Sequence, residues 1–208
     1  AQIEALREPG RYPHPVESVT VVETHISYVL LTGLYAYKIK KPVDLGFVDF
    51  STLEKRQHAC AEEVRINART APELYLGVTA IAGSAEDPVL GGEEAEAFEY
   101  AVKMRQFPAE ARLDRVLAQD KVTPGHMDAL ARRVADLHRR AAHPPGDSGY
   151  GTPADVVATM AENFEGLRGE RDELGVAGDR IEALAEWFDR FEHEREGLLA
   201  RRCEEGFI

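Results

Sequence analysis

The stretch VTVVETHISYVLLTGLYAYKIKKPV, residues 19–43, decides the fold of this chain. It is rich in β-branched and aromatic residues, and Thr32-Gly33 supplies turn chemistry inside it. This composition is typical of antiparallel strands joined by short turns. The stretch therefore predicts three strands, over residues 19–23, 27–31 and 34–40.

The sequence that follows predicts one helix packed on this sheet. Ser51 and Glu54 have the S-x-x-E spacing of a capping box, which marks the start of a helix, and we expect the helix to run to about Arg69. At about 100° per residue, one narrow face carries the residues expected to lie against the sheet: Leu53, Cys60, Val64 and Ala71.

Two more strands are predicted after the helix, over residues 76–81 and 98–104. The intervening segment GSAEDPVLGGEEAE, residues 83–96, predicts a loop or a hairpin connection. In the second strand, apolar Phe98, Tyr100, Val102 and Met104 alternate with polar or small residues. That period is typical of a half-buried strand.

Everything after Pro108 predicts helices. Thr123-Pro124 supplies an N-cap and a first-turn proline for a helix over GHMDALARRVADLHRRAA, residues 125–142. A loop follows over residues 143–153. Two later helices are expected, over residues 154–167 and from about Asp179. The last helix carries an apolar stripe with one break: Ile181, Leu184, Phe188, Phe191, Arg195 and Leu198.

The predicted fold class is therefore α+β, with an antiparallel sheet lobe that carries one packed helix, followed by a helical, incomplete lobe. This order of elements is that of protein kinases and their relatives, in which ATP lies in a cleft between two lobes. We expect four regions: residues 1–18, a short helix (3–8) and connector; 19–103, the sheet lobe; 104–108, the hinge; and 109–208, the helical lobe.

Charge and cysteine content exclude several classes of protein. The 208 residues carry a formal net charge of −12, which argues against a nucleic-acid binder because phosphate backbones need a cationic surface. Cys60 and Cys203 have neither zinc-site spacing nor the pattern of a disulfide framework. Neither a membrane-length apolar run nor an export signal is visible. We expect a soluble, cytoplasmic protein.

The third strand supplies the candidate cations for a phosphate. Strand alternation puts Ala36, Lys38 and Lys40 on one face, and Y-A-Y-K resembles the V-A-I-K pattern of the kinase third strand. Lys38 is therefore the candidate contact to the α- and β-phosphates, and Lys40 lies nearer the strand end. The alternative is a lysine-rich edge strand that discourages aggregation.

The helix supplies the candidate partner for Lys38. Glu63 lies beside the packed face, whereas Glu62 falls on the solvent side. A carboxylate at the flank of a packed face can meet a lysine from the sheet, so we predict a Lys38–Glu63 pair. The alternatives for Glu63 are a contact with Asn67, four residues later, or no role.

Weaker signals complete the predicted nucleotide site. The first turn, ETHIS, has no glycine, and the hydroxyls and N–H groups of Thr24 and Ser27 either contact phosphate or stabilise the turn. Backbone groups of Met104, Arg105 and Gln106 are the candidates for adenine, with the Met104 side chain assigned to the core.

Long blocks of the sequence resemble a bacterial family of aminoglycoside-phosphotransferase-like proteins with a protein-kinase-like fold. The blocks cover residues 13–56, 60–78 and 99–108, among them YAYKIKKPVDLGFVDFSTLEKR, CAEEVRINARTAPELYLGV and EYAVKMRQFP. The resemblance implies a bilobal fold, ATP with Mg, Lys38 and Glu63 as the lysine–glutamate pair, and transfer of phosphate to an unidentified small molecule. Family members usually continue into a C-terminal P-loop kinase or ATPase domain.

The resemblance also implies that the chemistry lies outside these 208 residues. Such proteins carry an H-G-D-x-H-x-x-N-like catalytic loop and then an acidic metal-binding motif, and neither occurs before the final CEEGFI. We therefore expect the N-terminal portion of a phosphotransferase, inactive alone, with no catalytic residue of its own and its metal ligands beyond Ile208. The alternative is a pseudokinase-like module that regulates or docks an attached P-loop domain.

Overall fold

The computed structural model describes residues 1–142, 151–175 and 178–206. Most of the loop predicted at residues 143–153, and the last two residues, lie outside this part. The chain forms two compact units, Ala1–Arg139 and Arg140–Ile208. The predicted hinge, residues 104–108, thus lies inside the first unit, and residues 109–139 group with the sheet.

An antiparallel sheet of six strands forms the centre of the first unit, in the order β1-β2-β3-β6-β4-β5. The first three predicted strands are confirmed to within one residue. A short strand, β5, forms where we predicted a loop or hairpin connection. The strands are β1 Thr20–Glu23, β2 Ser27–Leu31, β3 Tyr35–Lys40, β4 Tyr75–Gly83, β5 Pro88–Leu90 and β6 Ala97–Arg105.

Seven α-helices occur in the described residues. The first is shorter than the helix predicted over residues 3–8, because Pro9 turns the chain into a 3-10 segment. The helices are α1 Gln2–Ala5, α2 Leu53–Asn67, α3 Leu113–Ala118, α4 Pro124–Arg140, α5 Pro153–Gly169, α6 Arg171–Leu174 and α7 Gly178–Glu204. None of these helices has the length and apolar character needed to cross a bilayer.

The N-cap of α2 is Thr52, one residue later than predicted. Its hydroxyl accepts a hydrogen bond from the Lys55 backbone N–H at 3.3 Å. Ser51, the predicted cap, instead donates its hydroxyl to Asp49 at 2.6 Å. Both residue types are good N-caps. Thr52 serves as the cap here because the Ser51 hydroxyl is hydrogen-bonded to Asp49.

Strand β6 is buried on both faces, so the prediction of a half-buried strand was wrong. On one face Tyr100 and Val102 pack with Cys60 of α2. On the other, Ala101 packs in a cluster with Tyr37 and Ile39 of β3. The strand is flanked by β3 and β4, and each sheet face has its own cover.

The alternation predicted for β6 also breaks near its start. The pairing of β4 with β6 shifts register between Ile81 and Ala82. Phe98 consequently packs with the cluster opposite α2, and Glu99 turns toward α2. Alternation fails at such irregularities because an extra residue reverses the side-chain direction.

Glu99 forms a buried ion pair with Arg56 near the start of α2. Arg56 Nε donates to both carboxylate oxygens of Glu99 at 2.9 Å, and Arg56 Nη1 donates to the Phe50 carbonyl at 3.0 Å. The Tyr100 backbone N–H also donates to Glu99 at 3.0 Å. The pair ties the start of α2 to the central sheet.

The N-terminal segment covers the sheet face opposite α2. Leu6 is fully buried and Tyr12 nearly so, in one cluster with Tyr37 and Ile39. The Tyr12 hydroxyl donates to the Leu6 carbonyl at 2.7 Å, and His14 Nε2 lies 3.1 Å from the Tyr37 hydroxyl. Burial, with a smaller contribution from Tyr35, raises the pKa of Tyr37 to about 12.

In the second unit, α5 packs against α7. Phe164 and Phe188 lie with ring centroids 5.9 Å apart, and Ile181 is buried. Two members of the stripe predicted for the last helix, Leu184 and Phe191, are exposed. The apolar stripe of the last helix is therefore buried only in part.

We expect that replacing Glu99 by glutamine strongly destabilises the protein. The amide keeps the shape but leaves the Arg56 charge buried without a counter-ion, a change that costs about 3–5 kcal/mol. The free energy of unfolding in urea, followed by circular dichroism, measures the loss.

The matched control is Glu62→Gln, since Glu62 pairs with Arg65 three residues later on the helix surface. Its loss should change the free energy of unfolding by about 0.5 kcal/mol or less. Equal effects from the two substitutions would contradict a structural role for the Arg56–Glu99 pair.

Candidate functional site

The candidate lysines project from the interior of the sheet. Strand β3 lies between β2 and β6, with Lys38 opposite Val29 on one side and Val102 on the other. The alternative of a lysine-rich edge strand is therefore wrong, because β1 and β5 form the edges.

The predicted ion pair between Lys38 and Glu63 is present. Lys38 Nζ lies 2.9 Å from Glu63 Oε1, and the side chains are 27% and 12% exposed. Two periodicities bring them together. Strand alternation turns Lys38 toward α2, and the helical period places Glu63 beside Cys60 and Val64, which pack on the sheet.

A second lysine binds the same carboxylate. We did not predict this contact from the sequence. Lys40 Nζ lies 2.7 Å from Glu63 Oε2, and only 6% of the Lys40 side chain is exposed. The signal was available, because Lys38 and Lys40 share a strand face. What the sequence did not show is that Glu63 presents one oxygen to each.

The electrostatics keep Glu63 ionised. Burial raises its pKa, but hydrogen bonds and charge from Lys40 and Lys38 outweigh burial, so the pKa lies below its ordinary value. Two ammonium groups and one carboxylate leave one net positive charge. Lys38, the more exposed of the two lysines, presents that charge to solvent.

Glu62 and Asn67, the neighbouring acidic and amide residues of the helix, do not contact the lysines. Glu62 binds Arg65, whose Nη2 donates at 2.6 Å. Asn67 donates to the backbone carbonyl of Glu63 at 3.0 Å and leaves the carboxylate to the lysines. Of the alternatives for Glu63, the Asn67 contact thus exists but involves only the backbone.

The hydroxyls of Thr24 and Ser27 are engaged in the β1–β2 turn. Thr24 Oγ1 accepts from the Ser27 backbone N–H at 2.9 Å and lies 2.8 Å from Ser27 Oγ. Ser27 is 1% exposed. The turn accounts for both side chains, and a phosphate contact from them stays a prediction that requires the turn to open.

Two of the backbone groups predicted for adenine already form hydrogen bonds at the end of the sheet. The Arg105 N–H donates to the Leu74 carbonyl at 2.8 Å, and the Gln106 N–H donates to the Leu34 carbonyl at 3.1 Å. Met104 packs beside Tyr100 and Val102, as predicted for its side chain. Within the described residues, the next backbone N–H, that of Phe107, has no hydrogen bond.

A cavity of about 410 Å³ lies elsewhere in the first unit, between α2, β4 and the β5–β6 connection. None of the predicted nucleotide-site residues lines it. Within residues 1–142, 151–175 and 178–206, no three His, Cys, Asp or Glu side chains are arranged to hold a metal ion.

The stability that Glu63 confers should depend on pH in the acid range. Because the pKa of Glu63 is lower in the folded than in the unfolded protein, its carboxylate stabilises the fold above its ordinary pKa. That contribution is lost as pH falls through the folded-state value. Wild-type protein should therefore exceed Glu63→Gln in unfolding free energy at pH 7, and the difference should shrink below about pH 4.5.

Paired urea titrations from pH 7 to pH 3 test this expectation. Glu62→Gln is the control for a solvent-side carboxylate. A stability difference between wild type and Glu63→Gln that grows on acidification would show that folding raises the pKa of Glu63 instead of lowering it.

Three longer proteins resemble this chain over part of their length. It is 35% identical over 198 residues to uncharacterized proteins of Mycobacterium bovis and of two Mycobacterium tuberculosis strains. The match covers 94% of this chain and 38% of each relative, so the chain spans less than two fifths of their length. No family model matches, and no solved structure matches.

Proposed function

We propose that this chain is the nucleotide-binding portion of an ATP-dependent small-molecule phosphotransferase with a protein-kinase-like fold. The observation that carries the proposal is the contact of Lys38 on β3 with Glu63 on α2, at 2.9 Å. In kinases a lysine of the third strand binds the nucleotide phosphates while a helix glutamate holds it.

The charges at this site suit a phosphate. Lys38 uses one hydrogen bond on Glu63, and an ammonium group has three donors. Its side chain is 27% exposed, so the remaining donors are accessible. The net positive charge of the lysine–glutamate cluster favours an anion that replaces bulk water around Lys38.

The sheet register supports one direction for the proposed nucleotide. Ala36 lies opposite Met104, two residues from Lys38 on the same strand face, a spacing of about 7 Å along the strand. The base would then lie beside the small Ala36 side chain and the phosphates beside Lys38. With Arg105 and Gln106 engaged, the Phe107 N–H is the donor we assign to adenine in place of theirs.

The chemical step belongs to residues outside this sequence under the same proposal. The 208 residues contain no H-G-D motif, and we place the catalytic aspartate and the Mg ligands in the longer protein. The acceptor is an unidentified small molecule, and the attached partner is a P-loop domain. Alone, the chain would bind ATP without turning it over.

A pseudokinase-like docking module for an attached P-loop domain is the second candidate function. Two observations favour it. The β1–β2 turn has no glycine, and Thr24 and Ser27 are occupied by each other. The N–H groups of Arg105 and Gln106 are used within the sheet. Both features reduce the number of groups available to a nucleotide.

We expect the chain to bind Mg-ATP in a calorimetric titration and Lys38→Met to weaken that binding. Loss of a charge-assisted hydrogen bond costs about 1.5–3 kcal/mol, which is about a 10- to 150-fold increase in Kd. Lys41→Met is the matched control, since Lys41 Nζ instead binds Glu23 at 2.5 Å, and it should retain wild-type affinity.

Two outcomes would reject the nucleotide site. Absence of Mg-ATP binding by the wild-type chain and by the full-length protein favours the docking module. Equal affinities for wild type and Lys38→Met would remove Lys38 from the site.

A further inference from the structure

Lys40 is buried, unlike a lysine that binds a ligand from solvent. Its side chain is 6% exposed, and its ammonium lies 4.8 Å from the centroid of the Phe50 ring. One donor goes to Glu63 at 2.7 Å. Lys40 is therefore much less accessible to a ligand than Lys38, whose side chain is 27% exposed.

The wall around Lys40 is itself fixed. Phe50 is 8% exposed, its N–H donates to the Val43 carbonyl at 2.8 Å, and its carbonyl accepts from Arg56 at 3.0 Å. On the strand side, Lys40 lies opposite the buried Ser27. The ammonium of Lys40 is therefore held from several sides, and it in turn fixes the oxygen of Glu63 that it binds.

We propose that Lys40 is a positioning residue, which holds Glu63 so that its other oxygen faces Lys38 and leaves Lys38 charged toward a phosphate. This inference rests on the proposed nucleotide site. It adds a second lysine to that site with a role distinct from the first.

Two physical effects give Lys40 this role. A flexible glutamate bound at one oxygen is restricted at the other, so Lys38 starts in the geometry that a phosphate requires. The second effect is charge. With Lys40 the cluster carries one net positive charge, whereas without it Glu63 offsets the charge of Lys38 and the attraction for an anion is weaker.

The test compares Lys40→Met, Lys40→Arg and the control Lys41→Met by calorimetric titration with Mg-ATP. Lys40→Met should raise Kd on the order of tenfold through loss of both effects. Lys40→Arg keeps the charge and should restore most of the affinity. Lys41→Met should bind as wild type. A folded Lys40→Met protein with wild-type Kd would overturn the inference, as would an arginine variant no better than methionine.

A second measurement separates this inference from the proposed function. Carbon NMR of the Glu63 carboxyl should show a higher pKa in Lys40→Met than in wild type and no change in Lys41→Met. If neither the wild-type chain nor the full-length protein binds Mg-ATP, the proposed function fails, and the Glu63 titration still decides whether Lys40 contacts that carboxylate.

Phe50→Leu covers the case in which Lys40→Met does not fold. Leucine keeps an apolar wall but removes the ring beneath the ammonium, so Lys40 loses one of its restraints. A smaller rise in Kd, about two- to fivefold, is expected for a single lost cation–π contact. An unchanged Kd in this variant would count against the positioning role.

Discussion

A half-buried carboxylate bound by two ammonium groups is the constraint on which the rest of the first unit depends. Glu63 keeps its charge in a poorly solvated place only because Lys38 and Lys40 each take one of its oxygens. Both lysines belong to one face of β3, so the carboxylate fixes α2 against that strand. Rotation of the helix that moved Glu63 to the present position of Glu62 would turn its carboxylate toward solvent and away from both lysines.

The far end of α2 repeats this principle with the charges reversed. Arg56 on the helix binds Glu99 on β6, seven residues and about 10 Å of helix before Glu63. Between these two contacts, Cys60 packs on Tyr100 and Val102. Apolar contact supplies affinity between helix and sheet without direction. The three ion pairs, two at Glu63 and one at Glu99, fix the orientation of the helix on the sheet, which a site built from a strand and a helix requires.

How far the sequence predicts this molecule depends on whether local periodicity decides the feature. The period of two along β3 and the helical period of α2 were enough to pair Lys38 with Glu63. They did not reveal the Arg56–Glu99 pair, because the register shift at Ile81 and Ala82 reverses Glu99. Nor did they show that the N–H groups of Arg105 and Gln106 form hydrogen bonds at the end of the sheet, since their acceptors are distant in sequence. Burial of both faces of β6 depends on what packs on each face of the sheet, so residue alternation within the strand could not predict it.

The first twelve residues determine how short a fragment containing this sheet can be. Leu6 and Tyr12 form one apolar cluster with Tyr37 and Ile39, on the face of β3 that points away from Lys38. A fragment starting at residue 19, where the strands begin, would expose that face to water. Such an exposed, strand-rich surface promotes aggregation. A fragment that folds on its own must therefore begin well before the first strand. The N-terminal segment is as much a part of the fold as β3, the strand that it covers.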